Sequence, residues 1–310
     1  MKAYYFRQLF QNTRRGTVHT LSTDGVEGAF CLYYLCSDGR PVREEEDQEK
    51  RFCIRGKNIS VLVLEHLHPT DLEQAGELLK HNHVEKVFLP YGDTAETLPE
   101  LSQAEKVYVL EKGQTVSFQE KGWDVWVKCL DGGSKGNLVL YHGPSQAVRQ
   151  GEDCLMAVKP FDKTLPCQVC MDAEDHSCGM RCCLYNDFTL CKGHNRKDIP
   201  DYVAGTLLLG NGDPALVGED LSRELKEYIP YIRTVALASG KPEESSMNAM
   251  LELISQKNKD LNQYFVMPED AEQNEKILKT IMKKGLRRIP VLTGADSGLC
   301  ISGFIKDKQA

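Results

Sequence analysis

The chain of 310 residues contains no apolar run of about 18 residues, the length that a helix needs to cross a membrane. It also lacks a positively charged N-terminal segment followed by a continuous apolar core, which is the pattern of a secretory signal peptide. These two absences predict a cytoplasmic protein that is not inserted in a membrane.

A strong charge bias is absent too. The net charge of −7 provides no broad positive surface for nucleic acid, although a local basic patch could still bind it. The apolar content of 41% and the charged content of 27% are ordinary for a soluble globular protein. The length is sufficient for one large domain or two ordinary ones.

Cysteine is abundant, with twelve residues, but a disulfide framework is a poor explanation without a signal peptide. Cys167 and Cys170 form one closely spaced pair, and Cys191 and His194 form a second pair with the same spacing. Two such pairs can wrap one tetrahedral zinc ion. This spacing predicts a structural zinc loop in a cysteine-rich insertion at about 165–200.

The same cysteines have a second interpretation. Residues 178–185 could form a core strand in which small cysteine side chains pack, and the flanking pairs would then be reduced surface thiols. A continuous strand would also hold the two pairs apart unless its flanks fold back. Both interpretations remain open at the level of sequence.

The most informative segment is 59–90. It begins with an apolar run at 59–64 and continues into a polar loop that contains His66, His68 and Asp71. Helical spacing of leucine and alanine follows, and then a second short apolar run. This order predicts a strand, a loop, a helix and a strand.

A loop at the carboxyl end of a strand is where α/β proteins place binding and catalytic groups. Two imidazoles and a nearby carboxylate suit zinc or another divalent transition metal. The alternative is a simple helix start, in which Thr70 or Asp71 caps the helix and His66 and His68 are solvated.

This segment resembles the motif of the metallo-β-lactamase superfamily, in which a strand is followed by two histidines one residue apart, an aspartate, a third histidine and two glycines. His66 and His68 match the first two histidines. Thr70 stands in place of the aspartate and Asp71 in place of the third histidine, and both glycines are replaced. The resemblance implies a metal centre with an altered ligand set.

A second element of the superfamily is an apolar strand that ends in a metal-bridging aspartate. The run at 203–213 is similar to it, and Asp213 corresponds to that ligand, although the same residues alone read as a common turn. In the competence-protein branch a histidine pair comes later in the chain. Aligning Ser246 and Asn248 with that branch puts Lys241 and the preceding glycine in place of the pair.

The expected fold is a four-layer αββα sandwich of two mixed sheets with outer helices, as in the metallo-β-lactamases. Antiparallel meanders at 15–37 and 105–142 argue against a doubly wound parallel sheet. We expect one domain of residues 1–310, built from two similar halves of about 1–155 and 156–310 that fold as a unit.

Three smaller expectations concern local structure. Residues 220–228 predict a helix, and the two last apolar runs, near 289–293 and 298–303, predict a terminal hairpin. Trp123 and Trp126 are predicted to face opposite sides of one strand, with one in the core and the other at an edge or interface.

Two functions follow from the resemblance. In the first, the metal centre has been lost and the protein is an inactive scaffold or regulatory subunit with a protein partner or a second copy of itself. Lys241 would then repel metal ions from the site, because its ammonium group is positively charged. It would replace the missing cation by forming an ion pair with Asp213 or Asp71.

In the second, the protein is a metal-dependent hydrolase. His66, His68, Asp71 and Asp213 would hold at least one divalent ion, and its bound water would attack a phosphodiester or a similar ester. This interpretation includes nuclease activity.

Overall fold

A computed structural model of the chain describes residues 3–13, 16–25, 27–37, 56–92, 98–146, 153–162, 205–237, 244–257, 263–268, 288–293 and 297–306. The residues of the expected zinc loop, Cys167, Cys170, Cys191 and His194, lie outside these ranges, and so does Lys241.

The described residues form fifteen strands and three α-helices. The strands are β1 (Ala3–Thr13), β2 (Gly16–Asp24), β3 (Phe30–Cys36), β4 (Asn58–Leu64), β5 (His83–Pro90), β6 (Lys106–Leu110), β7 (Thr115–Glu120), β8 (Trp123–Asp131), β9 (Gly136–Pro144), β10 (Asp153–Asp162), β11 (Gly205–Gly210), β12 (Ile232–Leu237), β13 (Gln263–Pro268), β14 (Arg288–Thr293) and β15 (Ser297–Lys306). The helices are α1 (Pro69–His81), α2 (Pro214–Arg223) and α3 (Glu244–Lys257).

These strands form two sheets, and both are mixed. The first has eight strands in the order β10-β15-β1-β2-β3-β4-β5-β6, and its β3-β4-β5-β6 part is parallel. The second has seven strands in the order β14-β13-β12-β11-β9-β8-β7, and its β14-β13-β12-β11 part is parallel. The remaining neighbours in both sheets are antiparallel. The meander expected at 15–37 is confirmed by the antiparallel β2-β3 pair. Of the meander expected at 105–142, β7, β8 and β9 are antiparallel neighbours, but β6 pairs in parallel with β5 in the other sheet.

A layer of mostly apolar side chains from both sheets fills the space between them. Along β8 the side chains alternate between this layer and the outer face of the second sheet. Trp123 lies in the inner layer and Trp126 lies under the helices on the outer face, and both are buried. The two indoles do face opposite sides, but neither is at an edge, because both faces of this sheet are covered.

The helices cover the outer faces. α1 buries Ala75, Leu78 and Leu79 against the first sheet. α2 and α3 pack against the second sheet, and in α3 the buried residues Met247, Met250, Leu251 and Ile254 follow the helical spacing of one apolar stripe.

A buried charge cluster contributes to the attachment of α2. Lys128 of β8 is 7% exposed, and its Nζ lies 2.6 Å from Oδ1 of Asp220 and 3.0 Å from Oε1 of Glu224. Glu224 also accepts a hydrogen bond from the indole of Trp126 at 3.3 Å. The helix is therefore attached to the sheet by ion pairs as well as by apolar contact.

Two local predictions were wrong. The helix expected at 220–228 begins instead at Pro214, because Asp213 caps its N-terminus and proline fits the first helical position. The terminal hairpin is absent from the described residues, because β14 pairs with β13 in the second sheet while β15 pairs with β1 and β10 in the first. The chain crosses between the sheets at this point.

The chain is thus an α/β sandwich of two stacked mixed sheets, with helices on the outer faces. Both sheets contain strands from either side of residue 155, since β7, β8 and β9 join the second sheet and β15 joins the first. Within the described residues, no helix is both long and apolar enough to span a bilayer.

Candidate functional site

The carboxyl ends of β3 and β4 and the first residues of β9 meet at Glu65, the first residue after β4. Its backbone N–H donates to the carbonyl of Leu35 in β3 at 2.9 Å, and its carbonyl accepts from the N–H of Leu138 in β9 at 2.7 Å. Since β3 and β9 belong to different sheets, the Glu65 backbone links the two sheets at this end of the sandwich.

The turn after β11 approaches this point closely. Gly210 has a φ of +54°, and a Cβ at this position would collide with the side chains of Glu65 and Tyr34. Glycine tolerates both the conformation and the contact. The next residue, Asn211, is thereby brought within hydrogen-bond distance of Glu65.

The Glu65 carboxylate is fully buried and is held by several donors. The backbone N–H of Asn211 donates to Oε1 at 3.0 Å, and the Asn211 amide donates to Oε2 at 3.1 Å. The thiol of Cys36, at the end of β3, donates to Oε2 at 3.7 Å. This arrangement satisfies a buried carboxylate with groups from both sheets.

His66 bridges two carboxylates. Its Nδ1 is in contact with Oε2 of Glu65 and lies 3.3 Å from Oδ2 of Asp71 in the first turn of α1. The His66 side chain is 21% exposed, whereas the two carboxylates are 0% and 1% exposed. The imidazole is therefore the only member of this trio with access to solvent.

The environment changes the pKa of both His66 and Asp71. Burial raises the pKa of Asp71 to about 7, and the charge of His66 and hydrogen bonds from Ser37 only partly oppose this. Burial alone would lower the pKa of His66, but the hydrogen bond and charge of Glu65 and the charge of Asp71 raise it overall. The raised pKa of His66 favours its cationic form, whereas the raised pKa of Asp71 favours the neutral acid.

The other two predicted metal ligands have different surroundings. His68 is the N-cap of α1, and its Nδ1 accepts from the N–H of Thr70 at 3.3 Å. Asp213 is the N-cap of α2, and its exposed carboxylate accepts from the N–H of Ala215 at 2.8 Å. The structure therefore brings His66 and Asp71 together and uses His68 and Asp213 at helix starts.

The structure does not place these four residues together as the metal centre that the resemblance implies. Nδ1 of His66 is in contact with carboxylates, and an oxygen of Asp213 and Nδ1 of His68 are used by backbone donors. Across the part of the chain that the structure describes, no group of three or more histidine, cysteine, aspartate or glutamate side chains is placed to hold a metal ion.

Sequence reasoning missed three residues of this cluster: Glu65, Cys36 and Asn211. Glu65 had a detectable signal, because it is the first polar residue after a buried strand. Asn211 belongs to the turn from which only Asp213 was selected. Cys36 gave no signal that separates it from a cysteine that only packs in the core.

No protein-family model matches this chain, and no curated protein matches it either.

The capping role of Asp213 has a direct test. We expect Asp213→Ala to lower the free energy of unfolding by about 0.5–2 kcal/mol, because one N–H of the first turn of α2 loses its acceptor. Asp213→Ser should stay near wild type, since serine caps helices about as well as aspartate. The measurement is urea denaturation followed by circular dichroism.

Glu219→Ala is the matched control, because it removes an exposed carboxylate from the same helix without touching the cap. If Asp213→Ser is as unstable as Asp213→Ala, the carboxylate has a role that capping does not explain.

Proposed function

We propose that the chain has a metallo-β-lactamase-like fold whose metal centre has been lost, and that it acts as a catalytically inactive scaffold or regulatory subunit of a multi-protein assembly. The observation that carries this proposal is the position of His66, whose imidazole lies between the buried carboxylates of Glu65 and Asp71. The sandwich of two mixed sheets and the strand–loop–helix unit that ends at α1 support the proposed fold.

The physical argument concerns charge. Buried carboxylates need a positive partner, because an unpaired charge in a low-dielectric interior is very costly. In an active member of such a family the partner would be a metal ion. Here the raised pKa of His66 favours a positive charge beside the carboxylates, and Asn211 donates hydrogen bonds to Glu65. Burial raises the pKa of Asp71 to about 7 and so favours its neutral form, which leaves one imidazolium to balance one carboxylate without a metal ion.

A scaffold needs a surface for its partner. The exposed large apolar residues of the described chain include Val107, 40% exposed, and Val109, 45% exposed. Both lie on the same face of β6, which is at one end of the first sheet. Within the described residues β6 pairs only with β5, and such an end strand offers its other side to a partner protein or to a second copy of the chain.

Metal content and hydrolysis together test the proposal. We expect wild type and His66→Ala/His68→Ala to contain the same amount of metal by elemental analysis after purification without chelator. We also expect neither protein to hydrolyse a generic phosphodiester when Mn²⁺ or Zn²⁺ is added. Any zinc held by the cysteine-rich segment would be present in both proteins and lost in Cys170→Ser.

His81→Ala/His83→Ala is the control for the loss of two histidines, since both lie away from the cluster on the surface near the end of α1. The proposal would be wrong if His66→Ala/His68→Ala lost both bound metal and hydrolytic activity while His81→Ala/His83→Ala kept them. The protein would then be a metal-dependent hydrolase.

A further inference from the structure

A pair of histidines lies in the layer between the two sheets. His19 comes from β2 of the first sheet and His142 from β9 of the second, and they are 1% and 0% exposed. Their Nε2 atoms are 2.8 Å apart, and their rings are stacked with centroids 5.0 Å apart. The pair is thus a direct polar contact between the sheets.

Aromatic rings flank the pair on both sides. The ring centroid of Phe10 lies 4.4 Å from that of His19, and the ring centroid of Trp123 lies 6.2 Å from that of His142. The titratable group beside the pair on the first sheet is Tyr34, the cross-strand neighbour of His19. Burial raises the pKa of Tyr34 well above its ordinary value, so this phenol stays neutral.

A second contact between the sheets lies nearby and carries no charge. The hydroxyl of Thr206 donates to Oε1 of Gln8 at 2.6 Å, and Thr206 is also the cross-strand neighbour of His142. Neither side chain titrates in the pH range of proteins. This second contact therefore contributes no pH dependence of its own.

The hydrogen bond between the rings requires neutral imidazole. One ring donates its Nε2–H and the other accepts with its Nε2 lone pair, which is possible only while at least one ring is unprotonated. When both rings are protonated, two N–H groups and two positive charges oppose each other at 2.8 Å. No carboxylate among the described side chains acts on either ring to compensate this charge.

We propose that the His19–His142 contact is an acid-labile clasp, which holds the two sheets together while the rings are neutral and separates them when both are protonated. The clasp makes the closed sandwich a state that depends on pH. Its release exposes the apolar layer between the sheets.

The pKa shifts agree in sign with this mechanism. Burial lowers the pKa of His142 from 6.5 to about 3, and burial followed by the charge of His142 lowers the pKa of His19 well below 6.5. At a pH between the lowered pKa of the folded state and the ordinary pKa of 6.5, these two histidines bind protons in the unfolded chain but not in the folded chain. The contribution of the pair to stability is therefore fully present above about pH 6.5 and is lost as the pH falls below it.

The experiment measures the folding equilibrium constant by urea denaturation from pH 8 to pH 4. Each proton bound only by the unfolded chain lowers this constant about tenfold per pH unit, so the pair should contribute up to about a hundredfold per unit below pH 6. In His19→Gln/His142→Gln this contribution should disappear, because glutamine remains neutral and can still form hydrogen bonds. The matched control is His81→Gln/His83→Gln, which removes two surface histidines and should keep the wild-type slope.

If the double variant does not fold, a measurement on the wild-type protein tests the proposal instead. Its imidazole proton resonances, followed by NMR in the folded state, should remain at the positions of neutral rings for His19 and His142 down to about pH 5. A titration of either ring near pH 6.5 in the folded protein would overturn the proposal. An unchanged pH slope in a folded double variant would overturn it as well.

Discussion

Replacing Glu65 by alanine is expected to lower the free energy of unfolding by about 3–5 kcal/mol, the cost of removing one partner from a buried ion pair. The carboxylate is the acceptor for both donors of Asn211 and for the Cys36 thiol, and it contacts His66. Without it the Asn211 donors and the buried Cys36 thiol lose their acceptor, and each unsatisfied group adds to the cost. Urea denaturation at pH 7 measures the loss.

Glu65→Gln separates charge from volume. Glutamine fills the same space and can still accept from the backbone N–H of Asn211, but its amide is uncharged and brings a donor toward His66 and Asn211. We therefore expect Glu65→Gln to be clearly destabilised as well, although less than Glu65→Ala. Glu27→Ala, which removes an exposed carboxylate, should change the stability by less than about 0.5 kcal/mol. If Glu65→Gln is as stable as wild type, the carboxylate's charge is not needed and His66 is not its counter-ion.

The unit that contains this site could be predicted from the sequence because its signals are local. The apolar run of β4, the polar loop and the helical spacing of α1 all lie within one continuous segment. The bounds of β6, Lys106–Leu110, likewise coincide with a local apolar run, although its parallel pairing with β5 does not follow from that run. Local periodicity reports which faces of an element are buried, and that information is sufficient to place such elements.

The partners of the site could not be predicted, because they are distant in sequence. Asn211 follows Glu65 by 146 residues, and only the pairing of the sheets brings them together. The superfamily pattern selected Asp213 from the same turn, but the structure uses that residue as a cap and Asn211 as the donor. A pattern identifies the turn correctly, whereas the direction of each side chain depends on the tertiary structure.

The wrong terminal hairpin has a related cause. β14 and β15 are adjacent in the chain and both are apolar, so they resemble the two arms of a hairpin. Pairing, however, is decided by which neighbouring strand is available. β13 lies beside β14 in the second sheet, and the space between β1 and β10 in the first sheet accepts β15. Sequence adjacency does not contain this information.

The second large effect is expected at Lys128, whose ammonium group lies between Asp220 and Glu224 of the α2 segment. Lys128→Met keeps most of the aliphatic chain and removes the charge, so the loss reports the ion pairs rather than the packing. We expect the free energy of unfolding to fall by about 3–5 kcal/mol, because Asp220 is 3% exposed and loses its closest buried cation. Arg223, which also contacts Asp220 at 2.7 Å, is largely exposed and compensates only in part.

Two further variants serve as a control and as a test of charge compensation. Lys112→Met removes a lysine from a surface pair with Asp131, whose atoms are 2.5 Å apart, and it should leave the urea midpoint almost unchanged because solvent screens that pair. Lys128→Met/Asp220→Leu removes both buried charges and should recover much of the stability lost in Lys128→Met, since an apolar pair can replace a buried ion pair at little cost. Glu224, at 28% exposure, remains hydrated in that variant. If the double variant is less stable than Lys128→Met, the charges do more than neutralise each other, and the attachment of α2 depends on the hydrogen bonds of Asp220 itself.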